Sequence, residues 1–172
     1  MKYILILLLA VVQFAHAEVR DPETNFFNQT LGDFSEELAT AKASGKKGIL
    51  IMFEQKDCPF CARMKATVLN QSEVQDFYQK NFLIFPVDIE GDIEIYDMAG
   101  NPIKEKDFAF KVNRVRATPV FIFYNLKGEP VTRYTGPTSG VDDFMLLGNY
   151  VVDQEYTKES FTRYKLNNKK KN

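Results

Sequence analysis

Gly48-Ile49-Leu50-Ile51-Met52-Phe53-Glu54-Gln55-Lys56-Asp57-Cys58-Pro59-Phe60-Cys61 holds an unbroken apolar run, a short polar break and the only two cysteines of the chain. The run lacks polar alternation, which marks a strand buried on both faces, as in the middle of a parallel or mixed sheet. Pro59 suits the first position of a helix, and Ala62 to Leu69 continues with helical character. Two thiols enclosing two residues at a strand-to-helix junction can close into a small disulfide ring and reopen. That is redox chemistry.

The N-terminus reads as an export signal. Met1-Lys2 is a short positive region, Tyr3 to Val12 is almost wholly apolar, and Ala15-His16-Ala17 fits a small-x-small cleavage pattern. A cut between Ala17 and Glu18 is expected, leaving residues 1–17 as a cleaved signal peptide. The apolar stretch is shorter than the roughly 20 residues of a comfortable transmembrane helix. His16 is the only histidine, so the mature chain has no imidazole. Cys-His and Ser-His-Asp catalysis are thereby excluded, and the commonest metal ligand is missing. Two thiolates alone make a poor zinc site, and no metal or other cofactor is assigned. A net charge of −1 suggests no nucleic-acid surface. A purely structural disulfide is the bland alternative, but so short a loop constrains little of the unfolded chain.

Around this centre the pattern is regular. Glu18 to Gly32 reads as a polar lead-in. Asp33 and Glu36 form a capping-box signature for a helix over 35–44, with Phe34, Leu38 and Ala41 on one stripe. A helix from Pro59 to about Asn70 follows the cysteine motif. Ser72 and Gln75 suggest a second capping box, opening a helix to Lys80 with Val74, Phe77 and Tyr78 inward. Phe82 to Ile89 is the next strand, and a right-handed crossover would make it parallel to the first. Ile93 to Tyr96 and Ile103 flank a turn near Gly100-Asn101, an inserted hairpin. Lys106 to Val112 reads as a short helix with Phe108 and Val112 on one side. Strands are expected over 119–125 and 131–134. Ser139 with Asp142 would cap a last long helix, with Val141, Phe144, Met145, Leu147, Val151 and Val152 inward. A helical piece over 158–165 extends it. The domain is placed at 18–166 and a disordered basic tail at 167–172.

Thiolates, not thiols, attack disulfides. The unpaired N–H groups and dipole at the start of the helix favour charge on Cys58. Cys58, at the exposed end, is expected to be the nucleophile. Cys61, one turn in, is expected to resolve the mixed disulfide. Asp57 opposes the charge on Cys58, whereas Lys56 and Arg63 favour it. An exposed Phe60 would add an apolar contact for a partner, or else pack on the loop at Thr118.

The order of elements, Cys-x-x-Cys at the head of a helix, and Thr118-Pro119 entering a later strand together resemble the thioredoxin superfamily. The resemblance runs from about Phe34 to Val152. It implies a three-layer α/β/α fold with a central mixed sheet, here with a β-hairpin inserted after the second core strand and a C-terminal helical extension. It also implies a cis proline at Pro119, lying against the cysteines, with Thr118 offering backbone hydrogen bonds to an incoming chain. The hairpin, Phe53-Glu54-Gln55 and the export signal are similar to periplasmic thioredoxin-related proteins, including the type associated with sulfur oxidation. Departures are clear. The chain contains no tryptophan, and Asp57 stands where thioredoxins place one. Their buried proton-shuttling aspartate aligns with Met52, and Glu54 is the candidate substitute. Cys-Pro-Phe-Cys is closer to the glutaredoxin type, yet glutathione-binding features cannot be located.

These readings favour a periplasmic, monomeric reductase of disulfides in exported proteins, supplied by a membrane-bound thiol donor. The surface around Phe60, Arg116, Thr118 and Gly136-Pro137 would choose partners. An oxidase or isomerase is the alternative within the class. Outside it stands a peptide-binding module with a static disulfide.

Overall fold

The computed structural model describes residues 18–169. The expected signal peptide, its cleavage site and residues 170–172 lie outside them. In chain order the elements are α1 (Pro22–Asn25), α2 (Phe34–Ala43), β1 (Gly48–Glu54), α3 (Pro59–Thr67), α4 (Ser72–Asn81) and β2 (Phe82–Asp88). The hairpin β3 (Glu94–Tyr96) and β4 (Pro102–Lys104) follows, then α5 (Glu105–Asp107), which continues as a π-helical turn over Phe108–Val112. The chain closes with β5 (Val120–Asn125), β6 (Pro130–Thr135), α6 (Val141–Val152), a 3₁₀ turn at Glu155–Thr157 and α7 (Phe161–Lys169).

Four strands form the central sheet in the order β2-β1-β5-β6. β1 runs parallel to β2 and antiparallel to β5, and β6 runs antiparallel to β5. The sheet is therefore mixed, and β1 lies inside it, as its unbroken apolar run requires. Side chains alternate between faces along each strand. Leu50 and Met52 join Phe121, Phe123, Phe144, Leu147 and Tyr78 in one core. Ile49, Ile51 and Phe53 join Phe34, Leu38, Phe85 and Phe108 in the other. Helices on both faces complete three layers. Pro86, which has no N–H to donate, sits in β2 on the sheet edge, where a missing donor is tolerated. Gly48 opens β1 because a Cβ there would come within 2.0 Å of the Tyr124 carbonyl oxygen.

Local signals succeeded where the side chain could reach the backbone. Asp33 caps α2, its carboxylate accepting from the N–H groups of Ser35 and Glu36. Asp97 organises the hairpin turn, accepting from Ala99 N and Asn101 N. Elsewhere a tertiary contact took precedence. Gln71, not Ser72, is the N-cap of α4, and no side chain caps it. Gln75 is buried and donates instead to the carbonyls of Leu69 and Arg20. Gly140 occupies the N-cap of α6 without a side-chain cap, so Ser139 and Asp142 do not act as expected. Val112 is exposed, because the π turn rotates it away from Phe108. Helix α3 stops at Thr67, before the expected Asn70. Helix α7 continues to Lys169, into residues assigned to the tail.

The polar lead-in proves to be structural. Asp21 caps α1 and Pro22 starts it. Phe26 and Phe27 then enter the core, at 0% and 5% exposure. Phe26 packs against Tyr78 and Phe144, whose rings stack with centroids 4.4 Å apart. Arg20 N donates to Asn70 O, Ser72 N to Glu18 O, and Arg20 pairs with Asp76 at 2.8 Å. Truncating a buried phenylalanine costs about 3–5 kcal/mol. Phe26→Ala is therefore expected to lower unfolding free energy by that amount in urea titrations. A loss near that of an exposed substitution, below about 0.5 kcal/mol, would show that this arm is not part of the cooperative unit.

Candidate functional site

The end of β1 delivers the chain to the cysteines through Gln55, Lys56 and Asp57. Cys58 has extended backbone angles and is the N-cap of α3, with Pro59 at its start. Its Sγ accepts a hydrogen bond from Cys61 N at 3.1 Å, buried from solvent. This satisfies one of the donors that a helix start leaves unpaired. Cys58 and Cys61 are joined as a disulfide. Their exposures differ less than expected, at 8% for Cys58 and 3% for Cys61. Cys58 is thus the more accessible residue of the pair, but it is not openly exposed in the oxidised state.

The Thr118-Pro119 peptide bond is cis. Pro119 is buried and Thr118 half-buried. Val120 pairs with Phe53 across the sheet, so the loop before β5 lies at the end of the sheet where β1 hands over to the cysteines. A hydrogen bond links the two: Thr118 Oγ1 donates to Gln55 Oε1 at 3.3 Å. Gly136 N donates to Pro119 O, placing the Gly136-Pro137 loop against the same strand end. Phe60 is 52% exposed with the Arg63 guanidinium 5.4 Å from its ring centre. It does not bury itself on the Thr118 loop.

A cavity of about 270 Å³ opens beside the disulfide, lined by Glu54, Gln55, Lys56, Cys58, Cys61 and Lys65, with Asp88 also at its wall. Met52 lies in the core with no exposure, whereas Glu54 faces this cavity. Glu54 pairs with Lys65 Nζ at 2.8 Å. Lys65 also binds Glu23 Oε1 at 2.7 Å. Burial raises the Glu54 pKa, and the hydrogen bond and charge of Lys65 only partly offset it. Glu23 and Asp88 add to the rise by like-charge repulsion. Burial alone would lower Lys65, but hydrogen bonds to both glutamates outweigh it and the ammonium is held above its ordinary value. The two partners shift in the same direction for different reasons: burial dominates at Glu54, and the two carboxylates dominate at Lys65.

Lys65 escaped the sequence reading, although its position was available there. It lies four residues after Cys61, and on a helix that spacing puts both on one face. Glu23 carried no such signal. Among the described residues, no group of three or more His, Cys, Asp and Glu side chains is arranged to hold a metal ion.

Residues 34–150 match the family model of a thioredoxin-like domain. The chain belongs to the thioredoxin-like family. No curated protein matches the sequence. Several solved structures share the fold of this thioredoxin-like chain. One is a thioredoxin-fold protein from Helicobacter pylori, 18% identical, with a TM-score of 0.58 over 70% of this chain and 83% of that one. A candidate disulphide isomerase from Bacteroides thetaiotaomicron is 22% identical, with a TM-score of 0.58 over 80% and 97%. The oxidoreductase DsbH is 17% identical, with a TM-score of 0.55 over 75% and 88%. At such identities the likeness speaks for the fold alone.

A carboxyl that holds its proton more tightly when folded stabilises the protein below the unfolded pKa. That contribution is lost as pH rises from the ordinary 4.5 through the raised folded value. Glu54→Gln cannot ionise and avoids this loss. The unfolding free energy of the wild-type oxidised protein, relative to Glu54→Gln, is expected to fall across that window in urea titrations at stepped pH. A relative stability that rises with pH would contradict the assignment.

Proposed function

We propose that this thioredoxin-like protein is a thiol-disulfide oxidoreductase acting as a reductase of disulfides in exported proteins. The observation that carries this reading is the Cys58–Cys61 disulfide at the N-cap of α3, with Cys61 N–H directed at Cys58 Sγ. The same donor and the helix start favour a thiolate at Cys58 once the bond is reduced.

In the forward reaction the Cys58 thiolate attacks one sulfur of a substrate disulfide. A Cys58–substrate bond forms, and the other substrate sulfur leaves as a thiolate. Cys61 then loses its proton to the Glu54 carboxylate and attacks the Cys58 sulfur. The Cys58–Cys61 bond forms and the second substrate thiolate departs. Two electrons pass from the protein dithiol to the substrate disulfide, and both departing thiolates take protons from water. Thr118 and the cis Pro119 present backbone to the incoming chain beside Gln55, and the exposed Phe60 offers an apolar contact. A thiol protein at the membrane would restore the dithiol. The reductase direction rests on threonine before the proline, a feature shared with reductases and isomerases of the superfamily. Export rests on the signal-like residues 1–17 and a periplasmic setting on the resemblance; monomeric action is inferred with them.

Insulin reduction driven by dithiothreitol tests the reading. The wild type is expected to accelerate precipitation, Cys58→Ser to abolish turnover, and Cys61→Ser to accumulate a mixed disulfide with insulin. A static disulfide on a peptide-binding module predicts no acceleration by any of the three proteins. The equilibrium potential against dithiothreitol is expected nearer about −270 mV than about −120 mV. The latter value would instead favour an oxidase.

A further inference from the structure

The arm that precedes the matched domain reaches Lys65, a lysine on the wall of the redox site. Glu23 stands on α1, which is fixed by its Asp21 cap and by Phe26 and Phe27 in the core. From there its carboxylate meets Lys65 Nζ at 2.7 Å, opposite Glu54 at 2.8 Å. The ring of Phe27 lies 5.3 Å from the same ammonium. Lys65 is thereby held on three sides, two of them supplied by residues outside 34–150. Its side chain is only 22% exposed and lines the cavity that contains both cysteines.

We propose that Glu23 is a positioning residue for thiol-disulfide exchange: it claims part of the Lys65 ammonium, so that Glu54 stays able to accept the Cys61 proton. This rests on the reading of Glu54 as the proton acceptor in the resolving step. A lysine committed to Glu54 alone would hold that carboxylate ionised and make it a weaker base. A second carboxylate on the same lysine weakens that hold and adds its own repulsion. The groups facing Glu54 are Lys65 and Cys61 from α3, Cys58 at its cap, Lys56 from the preceding loop, Asp88 from β2 and Glu23 from α1. Of these, Glu23 can be neutralised while its oxygen still accepts from Lys65.

The test is a ¹³C NMR titration of the Glu54 side-chain carboxyl in the oxidised full chain. Glu23→Gln is expected to lower the Glu54 midpoint by a few tenths of a pH unit. Glu23→Asp, which keeps the charge, is expected to stay on the wild-type side of that shift. Superimposable wild-type and Glu23→Gln curves overturn the proposal, as does an Asp variant that titrates like the Gln variant. A parallel pH profile of insulin reduction is expected to move in the same direction in Glu23→Gln. An unmoved profile with a shifted Glu54 overturns the role in exchange. Absence of insulin reduction in the wild type counts against the proposed function instead, and the titration still decides the coupling.

Discussion

A buried strand that ends at a helix cap is the constraint on which the molecule depends. β1 is enclosed on both faces and paired on both edges, so its exit point is fixed. Cys58 then takes the N-cap position of α3, where a serine or aspartate would ordinarily accept from the first turn. Here a sulfur accepts, from Cys61 N. The same N–H holds the helix start and, in the proposed reaction, would stabilise charge on Cys58 once the disulfide is reduced. Fold and proposed chemistry would then share one hydrogen bond.

The electrostatics beside it form a second layer. Cys58 and Cys61 border a cavity with two lysines, Lys56 and Lys65, and two carboxylates, Glu54 and Asp88, on its wall, and a third carboxylate, Glu23, reaches Lys65 from outside it. Burial works against the charge on Glu54, and a shared cation compensates only in part. A carboxyl in that condition can change protonation at a modest cost, as the proposed transfer from Cys61 would require. Met52, the position aligned with the usual shuttle, points into the core and is apolar. Glu54 lies two residues along the strand, on the same face of β1 but at the strand end, where the proposed relay would place it.

How much of this was legible in the sequence follows physical range. The apolar run of β1, the Asp33 cap and the turn near Gly100-Asn101 depend on neighbours a few residues away, and each was readable. The cysteine pair was readable from its spacing at a strand-to-helix junction, and the Thr118-Pro119 loop through resemblance to a family. Ser72 with Gln75 looked like a capping box, but Gln75 is drawn inward by the carbonyls of Arg20 and Leu69. Ser139 failed similarly, giving way to Gly140 at the cap. The N-terminal arm was illegible for a related reason. Phe26 and Phe27 are two adjacent aromatics in a polar stretch, and only a core built from distant residues such as Tyr78 and Phe144 gives them a place. Glu23 becomes significant only once that arm is docked.

The most direct measurement is the alkylation rate of Cys58 in the reduced protein as a function of pH. The Cys58 rate is expected to titrate well below the ordinary thiol value of about 8.5, with Cys61 reacting far more slowly. A Cys58 that titrates at or above about 8.5 and reacts no faster than an unfolded peptide thiol would contradict that expectation.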